Sequence, residues 1–141
     1  ILSSGGCAES AHITVNATGQ LDVSNCSARA LGQNGGAVHV HVFEGWGQLM
    51  INQASAGGAG GGVYAGHFAA VAGSFVEIVS SNAVGQGAAM YVFESLALTG
   101  ATKLRSCQTD LGSAVVVTGN AELSGVEFED IRASAGCAFS G

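Results

Sequence analysis

Gly35-Gly36-Ala37-Val38-His39-Val40-His41-Val42 opens on two glycines and runs straight into a strict apolar–polar alternation. A period of two marks a β-strand with one buried face. It predicts Val38, Val40 and Val42 pointing inward and His39 and His41 outward. The opening phrase then returns about every 26 residues, as Gly61-Gly62-Val63-Tyr64, Gly87-Ala88-Ala89-Met90 and Gly112-Ser113-Ala114-Val115. Fainter copies stand at each end, Gly5-Gly6-Cys7-Ala8 and Gly136-Cys137-Ala138-Phe139. Such a period describes an array of similar coils, none of which buries its apolar face alone.

Each coil carries further short alternations. Leu49-Met50-Ile51, Val76-Glu77-Ile78, Leu96-Ala97-Leu98, Lys103-Leu104-Arg105 and Val126-Glu127-Phe128-Glu129 follow the opening strands. Polar runs such as Asn25-Cys26-Ser27, Asn52-Gln53-Ala54-Ser55, Ser80-Ser81-Asn82 and Ser106-Cys107-Gln108 come next. Three short strands per coil predict an all-β fold, a right-handed parallel β-helix of about five full coils and a partial sixth. Residues 1–141 form one solenoid domain, with coils near 5–34, 35–60, 61–86, 87–111, 112–135 and a partial 136–141. Coil one is the longest, and its extra residues are placed near Glu9 to His12. A leucine-rich repeat shares the period but needs a Leu consensus and helical segments that the chain lacks. A β-sandwich is the structural rival; it leaves the constant spacing of the glycine phrase unexplained.

Composition narrows the function. Of 141 residues 48% are hydrophobic, enough for a continuous core, but only 10% are charged. Ser, Thr, Asn, Gln and Gly must therefore cover the surface. A net charge of −6 argues against a nucleic-acid partner, which would need a basic stripe. The 23 glycines disfavour long helices. No apolar run reaches the roughly 18 residues of a membrane-spanning helix.

The Gly-Gly-Ala-Val and Gly-Gly-Val-Tyr phrases resemble the glycine-glycine-apolar-apolar repeat of the chlamydial polymorphic outer-membrane proteins. The grammar is also similar to the β-helices of autotransporter passengers and pectate-lyase-like proteins. The first resemblance implies surface display, adhesion and self-association. The pectate-lyase-like one implies cleavage or binding of polysaccharide. No catalytic residue of either family maps onto a motif here.

Asn16-Ala17-Thr18 and Asn25-Cys26-Ser27 are acceptors for N-linked glycans, with ordinary turn asparagines as the alternative. The four cysteines have no zinc-site spacing. Cys7 and Cys137 share one column and Cys26 and Cys107 another, too far apart along the rod to bond. Cys7–Cys26 within coil one remains open, as do buried free thiols. His41 and His67 each sit five residues after a coil-opening glycine, with His12 near in coil one. They predict an outward ladder, with no adjoining carboxylate to complete a metal site. Glu77, Lys103, Arg105, Glu127 and Glu129 predict a charge ladder across coils. Lys103, Arg105, Glu127 and Asp130 have the chemistry of a lyase or glycosidase without a diagnostic motif, so no catalytic residue, cofactor or metal is assigned. Trp46, at a turn, is the aromatic expected to be exposed, whereas Tyr64 has inward parity.

Neither end carries a polar cap, and uncapped coils template further strand pairing. The expected function is a secreted or surface structural solenoid that self-associates head to tail, the protomer of an extracellular fibre. Ile1, Leu2, Cys7, Cys137 and Phe139 are its expected contacts between protomers. The alternative is a carbohydrate-binding or carbohydrate-cleaving β-helix.

Overall fold

The computed structural model describes residues 7–28, 34–71, 73–109, 113–133 and 139–140. They form an all-β solenoid of about four turns, with no helix among the described residues. The strands are β1 (Ala8–Val15), β2 (Gln20–Ala28), β3 (Val38–Gly45), β4 (Gln48–Ala56), β5 (Val63–Ala70), β6 (Phe75–Val79), β7 (Asn82–Ala83), β8 (Met90–Leu98), β9 (Ala101–Arg105), β10 (Gln108–Thr109), β11 (Val115–Val117), β12 (Asn120–Leu123), β13 (Val126–Glu129), β14 (Arg132–Ala133) and β15 (Phe139–Ser140). One sheet stacks β1, β3, β5, β8, β11 and β15, with β12 beside β8. The other stacks β2, β4, β6, β9 and β13, and carries β7, β10 and β14 beside the far half of β4. Pairing is parallel, as in Val38↔Val63↔Met90↔Val115. A parallel pair needs a long connection between its strands. Here that connection is the rest of the coil, which rules out the sandwich.

The register corrects the sequence reading in one coil. Val38 lies beside Val63, so Gly35-Gly36-Ala37 stacks on Gly60-Gly61-Gly62 and the phrase of coil three slides by one residue. The conformation agrees: Gly35, Gly60 and Gly87 share a positive φ near 70° (70°, 69° and 73°), a region open to glycine at little cost. Coil one also departs from expectation. Glu9, Ser10 and His12 pair directly with His39, Val40 and Val42, leaving no insertion there. The extra length lies in the turn at Asn16 to Gly19, where coil two has only Trp46-Gly47, and between β2 and β3.

The alternation also breaks midway along the first sheet. In β3, Val40 is buried, His41 exposed, Val42 half-buried and Phe43 buried. Two successive outward residues bend the strand, and Phe43 takes the inward place expected of Val42. A second corner recurs on the other sheet. Asn25, Gln53, Ser80, Ser106 and Asp130 adopt φ of 55°, 58°, 57°, 52° and 51°. Asn and Asp tolerate this left-handed region better than most residues. Each corner lets the next residue point inward, which makes Cys26, Ala54, Ser81 and Cys107 one buried column.

Apolar columns fill the interior. Phe43, Phe68 and Leu96 form one, Ile51, Ile78 and Leu104 another, all 2% exposed or less. The Phe43 and Phe68 rings stack 4.4 Å apart and 7° from parallel. A disulfide joins Cys7, just before β1, to Cys26 on β2, the pairing the sequence left open. Cys107 is a buried free thiol.

Candidate functional site

Outward positions of the first sheet build an aromatic and imidazole face. His39, Tyr64 and Tyr91 occupy one column, so Tyr64 faces outward, against its expected parity. The slide of the glycine phrase moved it there. The Tyr64 and Tyr91 rings stack 5.4 Å apart at 8°, and His39 leans on Tyr64 at 4.9 Å. Burial pushes the Tyr64 hydroxyl above its ordinary value, and the neighbouring Tyr91 adds to the shift. Nδ1 of His39 is buried without a hydrogen-bond partner. Asn34, Ala59 and Gln86 flank the tyrosines in a shallow groove. Aromatic faces beside amide groups suit flat, hydroxylated ligands.

One step along the same strands lies the outer corner, where His41 (β3), His67 (β5) and Glu94 (β8) meet. The slide separates the two histidines expected in one column: His67 pairs with Val42, and His41 stands diagonal to it. Their rings still meet edge to face, 5.8 Å apart. Coil four contains an irregularity, since Ala65 pairs with Val92 but His67 with Ser95. Phe93 and Glu94 therefore oppose Gly66 alone, which is a β-bulge. The bulge brings a Glu94 carboxylate oxygen into contact with Nε2 of His67, while Nδ1 of His67 lies 2.7 Å from the Ser95 hydroxyl. The carboxylate that sequence reasoning found missing is thus supplied by an extra residue, a signal no fixed repeat spacing contains. His12 is elsewhere engaged, 3.0 Å from Glu44.

The second sheet carries the expected charge ladder. Glu77, Lys103 and Glu127 share a column, and Val79, Arg105 and Glu129 the next. Arg105 Nε lies 3.4 Å from Glu129, and Arg132 lies 3.6 Å from Asp130. The lyase candidates Lys103, Arg105, Glu127 and Asp130 thus lie along one ladder and its corner. Trp46 is exposed at its turn, and the candidate glycan acceptors Asn16 and Asn25 are exposed as well.

The expected contacts between protomers fare unequally. Ile1, Leu2 and Cys137 lie outside the described residues. Cys7 is bonded to Cys26, so it offers no free thiol to a Cys137 of another copy. Phe139 pairs through its backbone with Val115. Sequence reasoning missed Leu123 and Phe128. Both continue inward columns, below Leu98 and Leu104, yet they are 38% and 37% exposed. Strands β12 and β13 each have a partner on one side only among the described residues. Set against known proteins, the chain matches no family model, no curated protein and no solved structure.

Proposed function

We propose that this chain is a structural solenoid, exported from the cell, whose copies stack end to end into an extracellular fibre. The supporting observation is the open core at β12 and β13, where inward-column Leu123 and Phe128 face solvent. The first-coil residues of these same columns are Val15 and Val23, apolar as well but each only 6% exposed. At the other end β1 and β2 also have one partner each among the described residues. A contact between unlike ends propagates as an open filament rather than a closed dimer. Low surface charge limits repulsion between copies, and backbone pairing along a free strand edge supplies affinity. The Cys7–Cys26 disulfide supports an oxidising compartment, as does the resemblance of the glycine phrase to chlamydial surface-protein repeats.

Sedimentation velocity over rising concentration, with electron microscopy of the products, tests this reading. The wild-type chain is expected to grow into rods, and Leu123→Lys with Phe128→Lys to stay monomeric. A wild-type chain that remains monomeric at high concentration refutes it.

A second reading, carbohydrate binding, is favoured by the stacked Tyr64 and Tyr91 beside Asn34 and Gln86. A glycan array read with wild type and Tyr64→Ala decides it: binding lost in the variant is expected, and an array without signal sinks it.

A further inference from the structure

The corner of the first sheet gathers side chains of a type that a structural face does not require. We infer that His41, His67 and Glu94 form a binding site for a divalent transition-metal ion, with zinc as its representative. One ligand atom from each lies within 4.8 Å of the others, and all three side chains are at least partly open to solvent. An ion about 2.1 Å from each ligand places tetrahedral neighbours roughly 3.4 Å apart. Rotation of these exposed side chains supplies that spacing, with His41 closing and the His67–Glu94 pair opening slightly. Two imidazoles and one carboxylate suit zinc, nickel, cobalt or copper rather than calcium or magnesium. Three protein ligands leave a coordination position for water.

Three local features hold this arrangement. First, Gly66 precedes His67 on β5 and faces His41 of β3, and a Cβ there would come within 2.9 Å of Nδ1 of His41 and 2.8 Å of its carbonyl oxygen. The bare glycine is what allows the His41 ring to lean across its neighbouring coil to His67. Second, the bulge at Phe93 and Glu94 turns the carboxylate toward His67, where an unbulged strand would offer one residue fewer. Third, Ser95 stands 2.7 Å from the far nitrogen of His67. When the hydroxyl accepts from Nδ1–H, the lone pair of Nε2 faces a carboxylate oxygen. Two acceptors turned toward one point are an arrangement that a metal cation between them satisfies. Such partners behind a ligating histidine set its tautomer and orientation.

Calorimetric titration of the whole chain with zinc chloride tests the site, with cobalt(II) absorption as a probe of coordination. The expected result is saturable binding at a single site, visible cobalt bands of a four- or five-coordinate centre, and a zinc-dependent rise in thermal midpoint. His41→Ala, His67→Ala and Glu94→Gln each weaken binding by more than about tenfold, and Ser95→Ala by roughly tenfold, as for other outer partners of metal ligands. Gly66→Ala keeps all three ligands yet also weakens binding, a result that chance surface histidines would not give. His12→Ala and Cys137→Ser leave it unchanged. Circular dichroism without zinc confirms that each variant retains the fold. Absence of saturable binding overturns the inference, as does binding that survives the His41→Ala/His67→Ala pair or disappears with Cys137→Ser.

Discussion

Replacing Phe43 and Phe68 by leucine, singly and together, measures the one-residue slide that decides the outer face. The rings stack at 4.4 Å, and each side chain is 1% exposed. Leucine keeps most of the apolar volume and removes the ring pair, so the variants should fold. Each single change is expected to destabilise by about 1–2 kcal/mol, within the usual range for core substitutions. The double-mutant cycle isolates the ring–ring contribution, about 0.5–1.5 kcal/mol beyond area burial. Urea unfolding with unchanged m-values is the assay. Aligning the glycine phrases as written, Gly35 on Gly61, would instead set Val42 beside Phe68 and Phe43 beside Ala69. Zero coupling between Phe43 and Phe68, with coupling between Val42 and Phe68, would refute the register on which His41, His67 and Tyr64 all depend.

Gly61→Ala puts a Cβ 2.2 Å from the Ala88 carbonyl oxygen and 2.4 Å from that of Asn82. Neither is a side chain that can swing away, so a loss of about 3 kcal/mol, the upper end for overpacking, is expected in urea unfolding. Reducing or removing the Cys7–Cys26 bridge, sequence separation 19, frees a loop and costs about 3 kcal/mol by the chain-entropy estimate; thermal unfolding with and without reductant reads it. Burial pushes the Cys107 thiol from 9.0 up to about 11. The unfolded chain ionises first, so it binds fewer protons between those values and stability falls as pH rises through them. The total is on the order of 3 kcal/mol, present below pH 9 and lost by about pH 11. Cys107→Ala, which repeats the residue that Ala54 already places in the same column, should show a correspondingly shallower alkaline decline in stability.

The solenoid was legible because its cause is local and repeated. The alternations of β3, β4, β6 and β13 and the recurring glycine phrase each state a strand or a corner, and stacking is the arrangement that buries all of them. The ladder of Glu77, Lys103 and Glu127 followed, since outward parity within a short strand needs no knowledge of the next coil. The Cys26–Cys107 column was readable for the same reason.

Tertiary structure decided what depends on the offset between coils. Backbone pairing accepts any register, and the run Gly60-Gly61-Gly62 offers two alignments of a two-glycine phrase; packing of Phe43 on Phe68 selects one. That choice turns Tyr64 outward and sets His41 diagonal to His67. Likewise, the bulge delivering Glu94 arises from fitting one coil against its neighbour, and the corners at Asn25, Gln53, Ser80, Ser106 and Asp130 share a conformation but no single residue type. A repeat determines which surfaces meet; only the contacts between successive coils determine which side chains share a site.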